Sequence, residues 1–292
     1  MSNRTLIRLS GPDAFDFLQG LITNDVAKTK DGLVYAALLT PQGKFIADFF
    51  VAAQDDALLV DVAQPHAAML AQRLTMYRLR ADVQIAEVPL IVSRGTGPAP
   101  GGAMPDPRHT ALGWRLIADR DQSDGTDWDA LRVAHVIPET GVELTPDTYI
   151  LEAGFERLNG IDFRKGCYVG QEIAARMKHK TALKKGLAQV SITGAADVGT
   201  EITANGRPAG TLYTQSGSLA LAQLRFDRAT GEMQAARQPY FALNPVFALK
   251  YPEGEAEAEG AGPLPTCARG APQCQARSEY SIVSVFTTMS SS

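Results

Sequence analysis

The first ninety residues alternate between runs of strand-forming residues and segments with helical periodicity. Residues 33–40 are rich in strand formers, residues 45–52 and 57–63 are two more candidate strands, and Pro41 to Lys44 supply a turn between the first two runs. The segment PHAAMLAQRLTMY begins at Pro65 and has apolar residues at helical spacing, which predicts a helix. Hairpin signals next to helices predict an α+β fold rather than a parallel doubly wound sheet.

The pattern changes twice towards the C-terminus. After Gly186, short candidate strands are separated by turn signals, of which Asn205 followed by Gly206 is the clearest, and this predicts a small β-barrel or sandwich. From Pro252 the sequence has too little apolar surface to offset the entropy lost on ordering. We therefore predict a main region of two intertwined α+β subdomains over residues 1–185, a β-barrel module over 186–251 and a disordered tail over 252–292.

The run KGCYVGQE, from Lys165 to Glu172, combines a thiol, a lysine, two glycines and an amide beside a carboxylate. Gly166 and Gly170 are typical of a turn or of a close contact with the backbone. Good helix formers follow Gly170, so we predict a loop that leads into a helix. Backbone N–H groups at the start of that helix favour an anion, and they would lower the pKa of Cys167 if its sulfur lies near them.

Each residue of this run also has an ordinary structural interpretation. A single cysteine is usually a small buried hydrophobic residue, and a glycine usually marks a turn. Glu172 and Arg176 lie four positions apart, which is typical of a solvated ion pair on a helix. The combination of all these residue types within a few positions favours a functional loop.

The overall charge argues against a general nucleic-acid surface. The net charge is −4, whereas phosphate binding requires an extended basic face. The segment RMKHKTALKK, from Arg176 to Lys185, is a local exception that is typical of a solvated helix end or of a site for an anionic ligand. We find no apolar run long enough for a membrane span and no apolar signal-peptide core, so we expect a cytoplasmic protein that binds neither membranes nor nucleic acid.

The cysteines and histidines do not predict a metal site. Cys167, Cys267 and Cys274 are too few for a disulfide framework, and an iron–sulfur cluster generally requires four thiolates or a mixture of cysteine and histidine. The four histidines lack metal-ligand spacing. We therefore predict no stable metal centre within the chain.

The octapeptide closely resembles the signature of the YgfZ-type folate-binding proteins, relatives of the aminomethyltransferase T-protein of glycine cleavage that assist iron–sulfur enzymes. FLQGLITNDV from Phe17 and YAALLTPQGKFIADFFV from Tyr35 resemble the N-terminal block of that family, and RLTMYRLRADV from Arg73 resembles its middle block. Matches in the same order extend from Leu6 to about Leu187. The resemblance implies a T-protein-like α+β fold, tetrahydrofolate or a one-carbon derivative as ligand, and iron–sulfur assembly or client proteins as partners.

The resemblance also implies where the pterin lies. T-proteins have a similar EAG segment whose glutamate contacts the pterin, so Glu152 is the corresponding candidate here. A carboxylate can accept two N–H groups from the aminopyrimidine edge of a pterin. T-proteins carry adjacent aspartates where this chain has Ala47 followed by Asp48, and we expect Asp48 to contact folate, unless it is simply the polar position of an alternating strand.

The other candidate residues belong to the signature and the helix after it. We expect Lys165 and Arg176 to hold an anion or an ionised Cys167, and Gln171 and Glu172 to orient the local network. The thiolate would be redox-active or a transient metal ligand. The remaining candidates are assigned to the cofactor site and are Gly166, Tyr168 and Gly170.

These observations predict an accessory protein that binds tetrahydrofolate and supports the assembly or repair of iron–sulfur clusters in client enzymes. An alternative is an enzyme, a folate-dependent aminomethyltransferase of the T-protein type. The single aspartate at position 48 weighs against it, because aminomethyl transfer needs a carboxylate placed to move a proton or to stabilise a cation. A third interpretation, an RNA-binding module built on the basic segment, is disfavoured by the acidic net charge.

Overall fold

The hairpin predicted around residues 41–44 is present and lies at one edge of a five-stranded antiparallel sheet with the strand order β2–β3–β4–β1–β5. The strands of this first sheet are β1 (Arg4–Ser10), β2 (Val34–Leu39), β3 (Phe45–Gln54), β4 (Ala57–Ala63) and β5 (Gln84–Val88). The computed structural model describes residues 3–180, 183–230, 232–235 and 244–245. Within it, β2 is buried along its whole length, so its alternating side chains must enter two different cores.

The two faces of the first sheet carry different cores. Ala47 and Phe49 of β3 face a core that also includes side chains of α1 (Ala14–Gln19) and α2 (Gln64–Arg78). Phe50, on the opposite face of β3, belongs to a second core. The predicted helix at Pro65 is therefore confirmed, because α2 has a proline in its first turn and covers the sheet with its apolar side.

A second, smaller sheet follows along the chain. Its strands are β6 (Ile91–Gly95), β7 (Met104–Pro105) and β8 (Trp114–Ala118), in the order β6–β8–β7. Val92 of β6 packs with Leu6 of β1 in a small apolar cluster, which places this sheet beside the first. Helix α3 (Trp128–His135) comes next, and its N-cap Asp127 accepts a hydrogen bond from the backbone of Ala130.

The signature run has the predicted loop-to-helix form, because Gly170 is followed at once by α4 (Gln171–Lys180). After α4 the chain forms a third antiparallel sheet with the order β13–β10–β11–β12–β9–β14. Its strands are β9 (Lys185–Ser191), β10 (Glu201–Ala204), β11 (Arg207–Ser216), β12 (Leu219–Arg225), β13 (Met233–Ala235) and β14 (Asn244–Pro245). Asn205 and Gly206 both have positive φ, as the predicted tight hairpin between β10 and β11 requires.

Every pairing between these named strands is antiparallel, and the helices pack beside the sheets, so the predicted α+β class is confirmed. The boundaries predicted after residues 185 and 251 stay predictions. The predicted disordered tail, residues 252–292 with Cys267 and Cys274, lies outside the described residues.

Candidate functional site

A cavity with a volume of about 310 Å³ lies between the first sheet, the second sheet and the segment around α3. Such a volume is at the lower end of the range of about 300–1,000 Å³ that is usual for small-molecule sites. Its walls carry many ionisable side chains, namely Arg4, Asp48, Arg94, Arg108, Arg115, Asp121, Arg132 and Glu139. Of these, only Asp48 was a candidate from the sequence, and it was identified through the family resemblance.

Asp48 is held rigidly in the wall of this cavity. Its residue is 4% exposed, its Oδ2 accepts a hydrogen bond from the Tyr35 hydroxyl at 2.9 Å, and its Oδ1 accepts one from the Thr140 hydroxyl. Burial, together with the Asp48 charge, raises the pKa of Tyr35 well above its usual range, so this phenol stays a donor. Each carboxylate oxygen keeps a further lone pair that a ligand donor could reach.

Three arginines that line the same cavity as Asp48 pair with two other aspartates, which are buried. Arg4 Nε lies 2.6 Å from Asp61, and Arg115 Nη2 lies 3.3 Å from the other oxygen of the same carboxylate. Arg108 binds Asp106 through two nitrogens, at 3.0 and 2.8 Å, and this pairing holds the pKa of Asp106 below its usual range although burial opposes it. The cavity therefore has a charged, pre-organised wall.

Arg132 connects the cavity to the third sheet. It is 5% exposed on α3, and its Nη2 donates to Glu143 at 2.6 Å. The other oxygen of Glu143 accepts a hydrogen bond of 2.6 Å from the hydroxyl of Thr214 on β11. Because all three side chains are buried, this network fixes α3 against the C-terminal sheet.

Lys165 does not have the role that we predicted for it. Its residue is 8% exposed, and its ammonium donates to the backbone carbonyls of Gln19, Ile22 and Asn24 at 2.7, 2.6 and 3.0 Å. Each N–H group is thus used within the chain, and none is left to hold an external anion or the sulfur of Cys167. Lys165 instead fastens the signature loop to the segment after α1.

Two other signature residues, predicted to bind a cofactor, are also structural. Tyr168 is 7% exposed within the second core, and burial raises the pKa of its hydroxyl. Gly170 has a φ of +83°, and a Cβ at this position would lie 2.6 Å from the carbonyl oxygen of Thr40. The glycine is therefore required by the close approach of the hairpin turn of the first sheet, and neither residue lines the large cavity.

The remaining signature residues lie at the surface. Gly166 and Cys167 are exposed, and Gln171 is partly exposed at the start of α4. The side chains of Glu172 and Arg176 are 77% and 58% exposed and lie 3.5 Å apart, which is the solvated ion pair that their spacing indicated. None of them lines the large cavity, so the structure separates the signature surface from Asp48.

Glu152 is buried but is not brought to the cavity wall that contains Asp48. Its carboxylate lies 3.2 Å from the ammonium of Lys185 on β9, beside a void of about 10 Å³. Burial raises the pKa of Glu152, and the Lys185 charge opposes this shift. The contact with the pterin that we predicted for Glu152 is not supported by this position, which joins the segment before the signature to the third sheet.

Three cations of the basic segment that begins at Arg176 form ion pairs in the described part of the chain. Besides the pair of Arg176 with Glu172, Lys178 lies 2.5 Å from Glu156, and Lys185 is paired with Glu152. The predicted anion site in this segment therefore has fewer available cations than the sequence indicated. The cavity arginines, which come from separate strands and loops, are the more concentrated set.

The described part of the chain contains no group of three or more histidine, cysteine, aspartate or glutamate residues arranged to hold a metal ion. None of its helices has the length and apolar character needed to cross a membrane.

Comparisons with known proteins agree with the fold. Residues 184–247 match the family described as CAF17, C-terminal beta-barrel domain. The crystal structure of glycine cleavage system aminomethyltransferase T from Bartonella henselae superposes with a TM-score of 0.69 over 85% of this chain and 84% of that chain, at 15% identity. The predicted T-protein-like fold with a small C-terminal β-barrel is therefore confirmed.

The chain is also similar in sequence to iron–sulfur cluster assembly factors. It is 32% identical over 224 residues to the mitochondrial IBA57 homolog of Neurospora crassa, covering 63% of this chain and 51% of that protein. It is 29% identical over 281 residues to mitochondrial IBA57 of Mus musculus, covering 80% and 78%. The chain thus spans about half the length of the Neurospora relative. The cytoplasmic location predicted above is contradicted, because these relatives are named as mitochondrial proteins.

Proposed function

We propose that this chain binds a reduced folate in the 310 Å³ cavity and acts as an accessory protein in iron–sulfur cluster assembly. One observation carries the folate part: a buried carboxylate, Asp48, is fixed by two hydroxyls in the cavity of a fold shared with aminomethyltransferase T. The names of the IBA57 relatives support the part that concerns cluster assembly. This is the function that the resemblance to YgfZ-type proteins implies.

The chemistry of a pterin suits this wall. Its aminopyrimidine edge presents adjacent N–H donors, and Asp48 offers two oxygens whose hydroxyl partners prevent the carboxylate from turning away. The volume of about 310 Å³ accommodates a bicyclic ring better than a complete folate, so the tail would extend towards the cavity opening. Binding would need little rearrangement, because the wall is already ordered by its own ion pairs.

A separate surface would contact the partner protein. Cys167, Gln171, Glu172 and Arg176 lie on or just before α4 with exposed or partly exposed side chains, although their sequence is the most unusual in the chain. An exposed ion pair such as that of Glu172 and Arg176 contributes little to folding, which favours a role in recognition. We propose that an iron–sulfur assembly or client protein docks here, and that the folate cavity and this surface have different tasks.

The packing around position 47 favours the accessory function over the aminomethyltransferase alternative. Ala47 is fully buried in the first core, on the face of β3 opposite to Asp48. A second carboxylate at position 47 would therefore point into apolar packing rather than into the cavity. An assay of methylene-tetrahydrofolate formation from an aminomethyl donor separates the two functions, since only the enzyme would produce it.

The proposal is tested by complementation in a strain that lacks the corresponding gene, with the activity of an iron–sulfur-dependent enzyme as readout. We expect the wild-type chain and the control Arg73→Gln, an exposed residue of α2, to restore activity. Asp48→Asn and the double variant Glu172→Gln/Arg176→Gln should each restore less, and Cys167→Ala tests whether the sulfur takes part. Full restoration by both Asp48→Asn and the double variant would contradict the proposal.

A further inference from the structure

Arg94 and Arg115 lie directly opposite each other in the antiparallel pairing of β6 with β8. Opposite residues of such a ladder project from the same face of the sheet with their Cβ atoms about 5 Å apart, and like charges at these positions are destabilising. Both residues line the large cavity. Buried carboxylates account for Arg115 at this position, because Asp61 and Asp106 lie 3.3 and 4.0 Å from its guanidinium, whereas no such partner among the described residues accounts for Arg94.

Neither guanidinium is fully paired. Arg115 is only 3% exposed, yet its Nε and Nη1 atoms have no hydrogen-bond partner. The two carboxylates near it are shared, because Asp61 also pairs with Arg4, and Asp106, 4.0 Å from Nη1, also pairs with Arg108. Arg94 has no carboxylate within 4.0 Å in the described part of the chain. Its guanidinium lies over the ring of Trp128, 4.2 Å from the centroid.

Apart from Asp48, the acidic residues that line the same cavity have partners of their own. Glu139 lies 3.0 Å from Arg132, and Asp121 accepts hydrogen bonds from Ser93 and Ser123. Burial lowers the pKa of Arg115 to about 10, and it also lowers the pKa of Arg94, which agrees with positive charge that is not fully compensated.

We propose that Arg94 and Arg115 form a subsite for an oxyanion, a carboxylate or a phosphate, in the wall of the cavity. Arg94 supplies donors at the cavity surface, held in place by Trp128, and Arg115 supplies positive charge behind it. The subsite uses the cavity of the proposed function but does not depend on a pterin being bound. Two sources of the anion have the same chemistry: the glutamate end of a folate, or a separate phosphate group.

Titration of the full chain, followed by calorimetry and by tryptophan fluorescence, tests this subsite in a buffer without oxyanions. The probes are tetrahydrofolate, tetrahydropteroate, which lacks the glutamate, and inorganic phosphate. The variants are Arg94→Gln, Arg94→Lys and the control Arg73→Gln. If the folate tail is the anion, we expect wild type to bind tetrahydrofolate about tenfold or more tighter than tetrahydropteroate, and Arg94→Gln to remove this difference.

If the anion is a separate phosphate group, tetrahydrofolate and tetrahydropteroate should bind to wild type with equal affinity. Inorganic phosphate should then bind to wild type, bind less tightly to Arg94→Lys, and not bind to Arg94→Gln. That second result supports the subsite even when no pterin binds, so it distinguishes failure of the proposed function from failure of the subsite. The melting temperature of the ligand-free Arg94→Gln variant should stay close to that of wild type, because Arg94 has no carboxylate within 4.0 Å in the described part of the chain. The proposal is overturned if neither the glutamate preference nor phosphate binding depends on Arg94.

Discussion

The ammonium nitrogen of Lys165 lies 2.6 Å from the carbonyl oxygen of Ile22, a residue 143 positions earlier in the chain. Gln19 and Asn24 supply two further carbonyls to the same nitrogen. The lysine of the signature therefore ties two distant segments together. In this way the signature loop contributes to the fold as well as exposing residues to a partner.

Lys165→Met should lower the free energy of unfolding by about 3 kcal/mol or more, because it leaves three carbonyls, largely buried, without their donor. Lys184→Met, at an exposed lysine, is the matched control and should change the free energy by less than about 0.5 kcal/mol. Urea denaturation of both variants measures the difference. Equal stability of the two variants would show that the carbonyl contacts do not hold the loop.

The stability of the chain should also respond to the titration of Lys165. Burial lowers the pKa of this lysine to about 8 in the folded chain, below its ordinary value of 10.5. Between these pH values the unfolded chain binds more protons, so the contribution of Lys165 to the free energy of unfolding rises with pH and is constant below the window. The difference between wild type and Lys165→Met should therefore grow from about pH 7 to about pH 10. If this difference does not change with pH, the hydrogen bonds to the carbonyls compensate fully for the hydration that the Lys165 ammonium loses on folding.

Gly170 and Gly166 form a matched pair within the signature. Gly170→Ala should destabilise the fold by about 2 kcal/mol or more, because φ is +83° and the added Cβ would meet the Thr40 carbonyl at 2.6 Å. Gly166→Ala meets nothing within 4 Å and should be neutral within about 0.5 kcal/mol. Thermal unfolding compares the two, and a neutral Gly170→Ala would contradict the close contact.

The exposed ion pair on α4 should matter for partner binding and not for stability. Glu172→Gln and Arg176→Gln are each expected to change the free energy of unfolding by less than about 0.5 kcal/mol, since exposed pairs are screened by solvent. The same variants should weaken complementation. A substantial loss of stability in either variant would mean that the surface is structural, and its role in recognition would have to be withdrawn.

The sequence predicted those features that depend on local signals. The turn at residues 41–44, the helix with Pro65 in its first turn, the helix after Gly170 and the Asn205–Gly206 hairpin all follow from residue types that act over a few positions. The signature was chosen as a candidate site from its residue types and from the family resemblance. Its chemistry was assigned wrongly at Lys165, because only the fold brings the carbonyls of residues 19–24 to that ammonium.

The arginines that line the cavity could not be predicted from local sequence patterns, because Arg94 and Arg115 become neighbours only through the register of β6 and β8. A signal was nevertheless present. Arg115 stands between Trp114 and Leu116 in a strand that is otherwise apolar, where a charged residue is costly without a partner. Asp48 was identified only through the family resemblance, since alternation along a strand explains an aspartate equally well.

Titration calorimetry with tetrahydrofolate on wild type, Asp48→Asn and Glu152→Gln shows whether the cavity that contains Asp48 binds a reduced folate. We expect binding to wild type, a loss of affinity of about tenfold or more for Asp48→Asn, and unchanged affinity for Glu152→Gln, whose carboxylate pairs with Lys185 away from the cavity. Absence of binding to the folded wild-type chain, or a loss confined to Glu152→Gln, would contradict folate binding in this cavity.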